Sequence, residues 1–243
     1  MTRITREEWD NYITLLRTIN DQAAQKIIKF IEYMGIENVK GDQTKLLIDY
    51  CYNIVRQYGE AAGALSAEMY DAVAALEGRY LAPAEMAELA SYGDVAKAVN
   101  GTLNVSMNAE EIAGAATRWV KMASADTTLH NAIRDGAQFA WVPYGKTCAF
   151  CLVLASRGWQ DASKNVLKNG HAEHIHSNCD CQYAVRYDNR STVEGYDPDE
   201  YLSMYRHADG YTPQERINAM RREAYAIDKK TEGTDNQGLI DVN

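Results

Sequence analysis

Cys148, Ala149, Phe150 and Cys151 form a C-x-x-C pair, and after 24 intervening residues the chain reads His176, Ser177, Asn178, Cys179, Asp180, Cys181. Four of the five cysteines therefore fall within residues 148 to 181. A C-x-x-C sets two thiolates on one tight turn, and an H-x-x-C-x-C offers three further soft or borderline ligands from a second turn. Cys148, Cys151, His176, Cys179 and Cys181 together exceed the four ligands that a closed tetrahedral zinc site needs. Such a site is structural, because four protein ligands leave no position for a catalytic water. Cys179 and Cys181 are two residues apart and point to opposite sides of any extended strand, so both serve one ion only if the backbone turns there. The same residues also admit a Cys148–Cys151 or cross-loop disulfide, or free thiols that stand near one another. A thioredoxin-type pair is disfavoured, since no β-α-β pattern precedes it.

The other candidate groups carry less. His171 and His174 read as solvated loop residues, His130 and His207 as surface or capping residues on helices, and Cys51, on the apolar face of LLIDYCYNIV, as a small core residue. Ser156, Ser163 and Ser177 lack a G-x-S-x-G elbow, and the chain has neither a glycine-rich phosphate loop nor H-E-x-x-H. The residues thus argue against catalysis. A net charge of −9 and a pI near 5.1 argue against strong nucleic-acid binding. No N-terminal signal sequence is visible and no apolar run approaches the ~18 residues that read as a membrane span, so a soluble chain with reduced thiols is expected.

The elements that must position the cysteines are mainly helical. T-R-E-E at Thr5 to Glu8 is a capping box, followed by an apolar stripe from Trp9 to Ile31. A second long amphipathic helix follows Asp42 and carries Leu47 to Leu76, with a bend expected near Gly59 or Gly63. Pro83 suits the first turn of a third helix over roughly 83–99; Asn108 with Glu111 opens a fourth over 108–123; Asp126 or Thr127 opens a fifth that ends near Ala140. Around Phe139 to Pro143 the texture becomes short and aromatic, and Cys181 to Tyr187 alternates, so these two stretches are expected to pair as strands. Between them, Cys151 to Arg157 reads as a short helix ending at Gly158, and 160–172 as a polar loop. Asp197-Pro198 and Thr212-Pro213 open two late helices. The fold class is mainly α: an N-terminal helical bundle over 1–124, a small α+β module with a short β-hairpin and a Cys/His knuckle over 125–228, and a flexible polar tail over 229–243.

The stretch W-V-P-Y-G-K-T-C-A-F-C-L-V-L-A-S-R-G-W, followed by H-S-N-C-D-C, resembles the minor capsid proteins of tailed bacteriophages similar to phage Mu protein F, often labelled head morphogenesis proteins. The resemblance covers roughly 125–228, including the late helix RINAMRREAYA. It implies a virion component inside the capsid, present in the host cytoplasm during assembly, that acts near the portal in head assembly or DNA packaging, with the portal or the major capsid protein as partner; the structural zinc is the reading of the Cys/His spacing itself. Some relatives are labelled capsid maturation proteases, which is the alternative activity. A cellular zinc-module adaptor is a third reading, favoured only outside a phage gene setting.

Overall fold

The computed structural model describes residues 3–145, 147–163 and 179–222. Its body is built on two long helices, α1 (Arg6–Met34) and α2 (Asp42–Leu76), joined through a single 3-10 turn at Ile36–Asn38. α1 begins where the sequence requires. Thr5 accepts from the Glu8 amide, and Glu8 closes the box on the Thr5 amide at 2.8 Å, a reciprocal cap that contributes about 1 kcal/mol. The stripe of Trp9, Ile13, Leu16, Ile27 and Ile31 is buried against α2 and against α4 (Ala109–Asp135). Asn108 caps α4 through the Glu111 amide, as expected. Rather than ending near residue 123, this helix runs on without a break to Gly136, so Thr127 lies inside it and opens nothing. It is enclosed by α1, α2 and the sheet and buries residues on every side, including Thr117, Lys121, Ser124, Thr127, Thr128 and Asn131. That hides the one-sided stripe by which a surface helix is recognised.

The expected third helix over 83–99 is not formed there. Residues 79–90 are extended, and the helix begins only at Tyr92, as α3 (Tyr92–Leu103), with Ser91 and Asp94 making its capping box. Side chains hold the extended strap by its backbone. Asp71 accepts from the Ala84 amide at 2.9 Å, Thr127 Oγ1 from the Ala87 amide at 3.1 Å, and Asn131 accepts from the Glu85 amide at 3.0 Å while donating to its carbonyl at 2.8 Å. Arg134 donates to the Ala82 and Pro83 carbonyls. With so many partners outside the segment, its amides have no need of a helix. Gly59 and Gly63 likewise do not bend α2, which is continuous. They are buried under the strap, where a Cβ at Gly59 would stand 3.3 Å from Leu89 and one at Gly63 3.3 Å from Thr127 and 3.4 Å from Met86. The glycines make a floor on which an extended chain can lie.

The two predicted strands pair. β2 (Gln138–Val142) and β4 (Gln182–Arg186) run antiparallel with Trp141 opposite Tyr183, and β3 (Gln160–Asp161) joins the far edge of β2. Trp141 and Phe139 both set their rings edge-on to Tyr183, at 4.6 and 5.5 Å between centroids. A separate parallel pair joins β1 (Arg3–Ile4) to β5 (Thr192–Val193). Helix α5 (Ala149–Ala155) follows β2 and packs on its other side against α6 (Pro198–His207) and α7, a helix from 213 followed to 222, around Ala149, Ala208, Ala219 and Met220. Asp197 caps α6 with Pro198 at its first turn, and Glu215 with Thr212 closes the cap of α7, as the sequence predicts. The core of the helical body continues without a gap into the sheet and reaches Cys151, Cys179 and Cys181.

Candidate metal centre

The cysteines arrive from two directions. After β2 the chain turns through Pro143, Tyr144 and Gly145, Gly145 taking a positive φ of 59°, and delivers Cys148 to the N-cap of α5. There the Cys148 sulfur accepts from the Cys151 amide at 3.5 Å, which places both cysteines on the same turn. From the other side, Cys179 to Cys181 lead into β4 but lie outside it, because the strand begins at Gln182. The backbone is therefore free of strand alternation, and both sulfurs face one point.

Cys151, Cys179 and Cys181 are buried with their sulfurs all within 4.8 Å of one another, the Cys151 and Cys179 sulfurs 3.2 Å apart. Cys148, half-buried, adjoins Cys151 at the rim. The structure thus brings together three of the four cysteines that spacing singled out, with Cys148 beside Cys151 but outside the group of three. Three close thiols of this kind can hold a metal ion. His176, the fifth candidate, lies outside the described residues, as do His171, His174, Ser177 and the tail from 229. Cys51 is buried in the helical core, apart from the cluster, as its apolar face predicts. His207 stands in the last turn of α6, its Nδ1 2.8 Å from the Ser203 carbonyl oxygen, and His130 is exposed on α4.

The cluster's electrostatics favour a thiolate at one corner. Hydrogen bonds from Cys151 and then Cys179 hold the Cys181 thiol far below the ordinary thiol range, at about 4, against the opposing effect of burial, and the Tyr144 amide and Thr147 hydroxyl add to the same side. Cys151 is pushed up by its contacts with Cys148, Cys179 and Cys181 and by burial. Donors aimed at sulfur in this way also neutralise part of the charge that a thiolate-rich metal site accumulates.

Asp180, between two of the thiols, anchors the turn to the helical body. Its carboxylate takes Lys121 Nζ at 3.0 Å and stands 3.9 Å from Arg17 Nε, so one side chain reaches α4 and α1 together. Lys121 also donates to the Cys179 carbonyl at 2.9 Å. Reading the sequence for ligands misses Lys121, Arg17, Asp180 and Thr147. The signals were present in a lone lysine amid the apolar run TRWVKMASA and an acid enclosed by two cysteines, but neither names its partner.

Among the described residues no helix is long and apolar enough to cross a membrane. Comparison with curated proteins and with solved structures returns no match. A family model described as VG15 protein, a viral gene 15 family, matches residues 3–208, a span that runs from β1 through the helical body and the cysteine turns to the residue after α6. The chain belongs to the VG15 protein family.

Proposed function

We propose that this viral protein is a minor capsid component of a tailed phage, acting in head assembly near the portal, and that its cysteine turns hold a structural zinc ion. The observation that carries the metal is the convergence of three buried sulfurs from two separate turns. The ligands are Cys151, Cys179 and Cys181, with Cys148 or His176 as the fourth. Thiolate ligands select zinc over hard cations such as magnesium and calcium. A closed set of four leaves the ion no open coordination position, so its work is to fix the turns rather than to activate water. The head-assembly role rests on the viral family together with the likeness of the two cysteine turns to those of the Mu F-like proteins.

The test takes the purified full chain. Elemental analysis should find one zinc per chain, reduced by Cys151→Ser and by Cys179→Ser, while Cys148→Ser and His176→Ala identify the fourth ligand by which of them also loses it. Co-expression with the portal and the major capsid protein of the same phage should recover the chain bound to one of them. Absence of metal in the wild-type chain, with no loss of stability in the serine variants, would reject the zinc site; failure to associate with either capsid component would reject the head-assembly role.

A further inference from the structure

Six buried side-chain nitrogen or oxygen atoms without a hydrogen-bond partner line three small cavities. All three lie along one seam, where β4 and the turn after it meet the helical body. Asn20 Oδ1 and Gln182 Oε1 share the first, between α1, α4 and the start of β4, beside Asp180. Trp9 Nε1 and Tyr183 Oη share the second, between α1, α2, α4 and the middle of β4. Glu77 Oε1 and Ser191 Oγ share the third, between the end of α2 and the approach to β5. Burial pushes the Glu77 carboxyl up, the Tyr187 amide and the Ser191 hydroxyl pull it down, and Glu77 Oε1 and Ser191 Oγ make no well-formed hydrogen bond.

Five of the six side chains are more than nine-tenths buried, Trp9 and Tyr183 almost completely. A buried polar group without a partner is costly, and native interiors rarely leave one. Here such groups come in pairs, and each pair faces a narrow, partly open space of about 10 Å³, close to the ~10–15 Å³ that one water molecule needs. Further polar groups stand in the same walls: Ser124 in the first cavity, Tyr12, Ser66 and Thr128 in the second, and Thr192 in the third. A water that donates to Asn20 and Gln182, or accepts from Trp9 while bonding Tyr183, satisfies both members of a pair that do not bond each other. The two amide oxygens are both acceptors, so only a donor such as water can join them.

We propose that the seam between the helical body and β4 binds three resident water molecules, one in each cavity. The cysteine module is thereby joined to the body through bonds that solvent can exchange, at the same face where Asp180 meets Lys121. The test is a crystal structure of the full chain at a resolution that shows ordered water, with thermal melting of Tyr183→Phe and Ser191→Ala. Each substitution keeps the shape of the side chain and removes one bond to the water, so both should lower the melting temperature, and each cavity should show one water within hydrogen-bond distance of its pair. In dry cavities the same substitutions remove an unsatisfied buried hydroxyl and raise the melting temperature. A cavity without water, or a melting temperature unchanged or raised in either variant, overturns the proposal.

Discussion

Lys121 and Asp180 form an ion pair at 3.0 Å across the join between α4 and the C-D-C turn, with Lys121 only 9 % exposed and Asp180 28 %. The residue between two of the clustered sulfurs thus doubles as the tether of its own turn. Removing one partner of a fully buried pair costs about 3–5 kcal/mol. Solvent at Asp180 offsets part of this, and Lys121→Met should cost about 2 kcal/mol. Urea unfolding measures the loss, and metal release to a chelator should quicken in the same variant because the Cys179 carbonyl loses its donor.

Stripping the metal should lower the melting temperature. An ion held at a thousandfold above its Kd stabilises by about 4 kcal/mol, which in a chain of this size is a shift of about 10 °C. Scanning calorimetry with and without chelator reads it. Acid should act in the same direction, since protons compete with the metal for thiolates, so metal content falls as pH falls.

The strap over 79–90 should open when Asn131 is cut back. Asn131 bonds both the amide and the carbonyl of Glu85, and Asn131→Ala should cost about 1–3 kcal/mol. Limited proteolysis checks it: trypsin at Arg79 and chymotrypsin at the fully exposed Tyr80 should cleave the variant well before the wild type.

Cys51 sets an alkaline limit. Burial pushes its pKa up to about 12, while an unfolded chain gives up the same proton near ~8.5. Below that lower value both states keep the proton and stability is unaffected. As pH rises above it only the unfolded state gains by ionising, so stability falls. Cys51→Ala should flatten that decline in urea titrations between neutral and alkaline pH, and in the wild type the native Cys51 thiol should resist alkylation.

What could be read in advance was whatever depends on neighbours in the sequence. The Thr5–Glu8 box and the Asn108 and Asp197 caps are local devices, and each stands where its letters place it; β4 forms where its letters place it but is buried on both faces, so the alternation of its letters is not an alternation of exposure. The third helix failed because Pro83 promises a start only if nothing else claims the following amides, and Asp71, Thr127 and Asn131 claim three of them. The cysteine site was half visible. Spacing singled out the cysteines that converge, but whether Cys179 and Cys181 could face one point depended on the backbone leaving the strand, and β4 begins only after Cys181. The Lys121 tether joins residues 59 apart in the chain and leaves no periodic trace.

The parallel pairing of β1 with β5 sets a timetable for synthesis. Arg6 finds its Glu194 partner 188 residues downstream, so the first strand must wait, edge uncovered, until Thr192 and Val193 have left the ribosome. Closure over so long a loop is slow, and a nascent chain halted before Thr192 is left with a strand that other nascent chains can recruit.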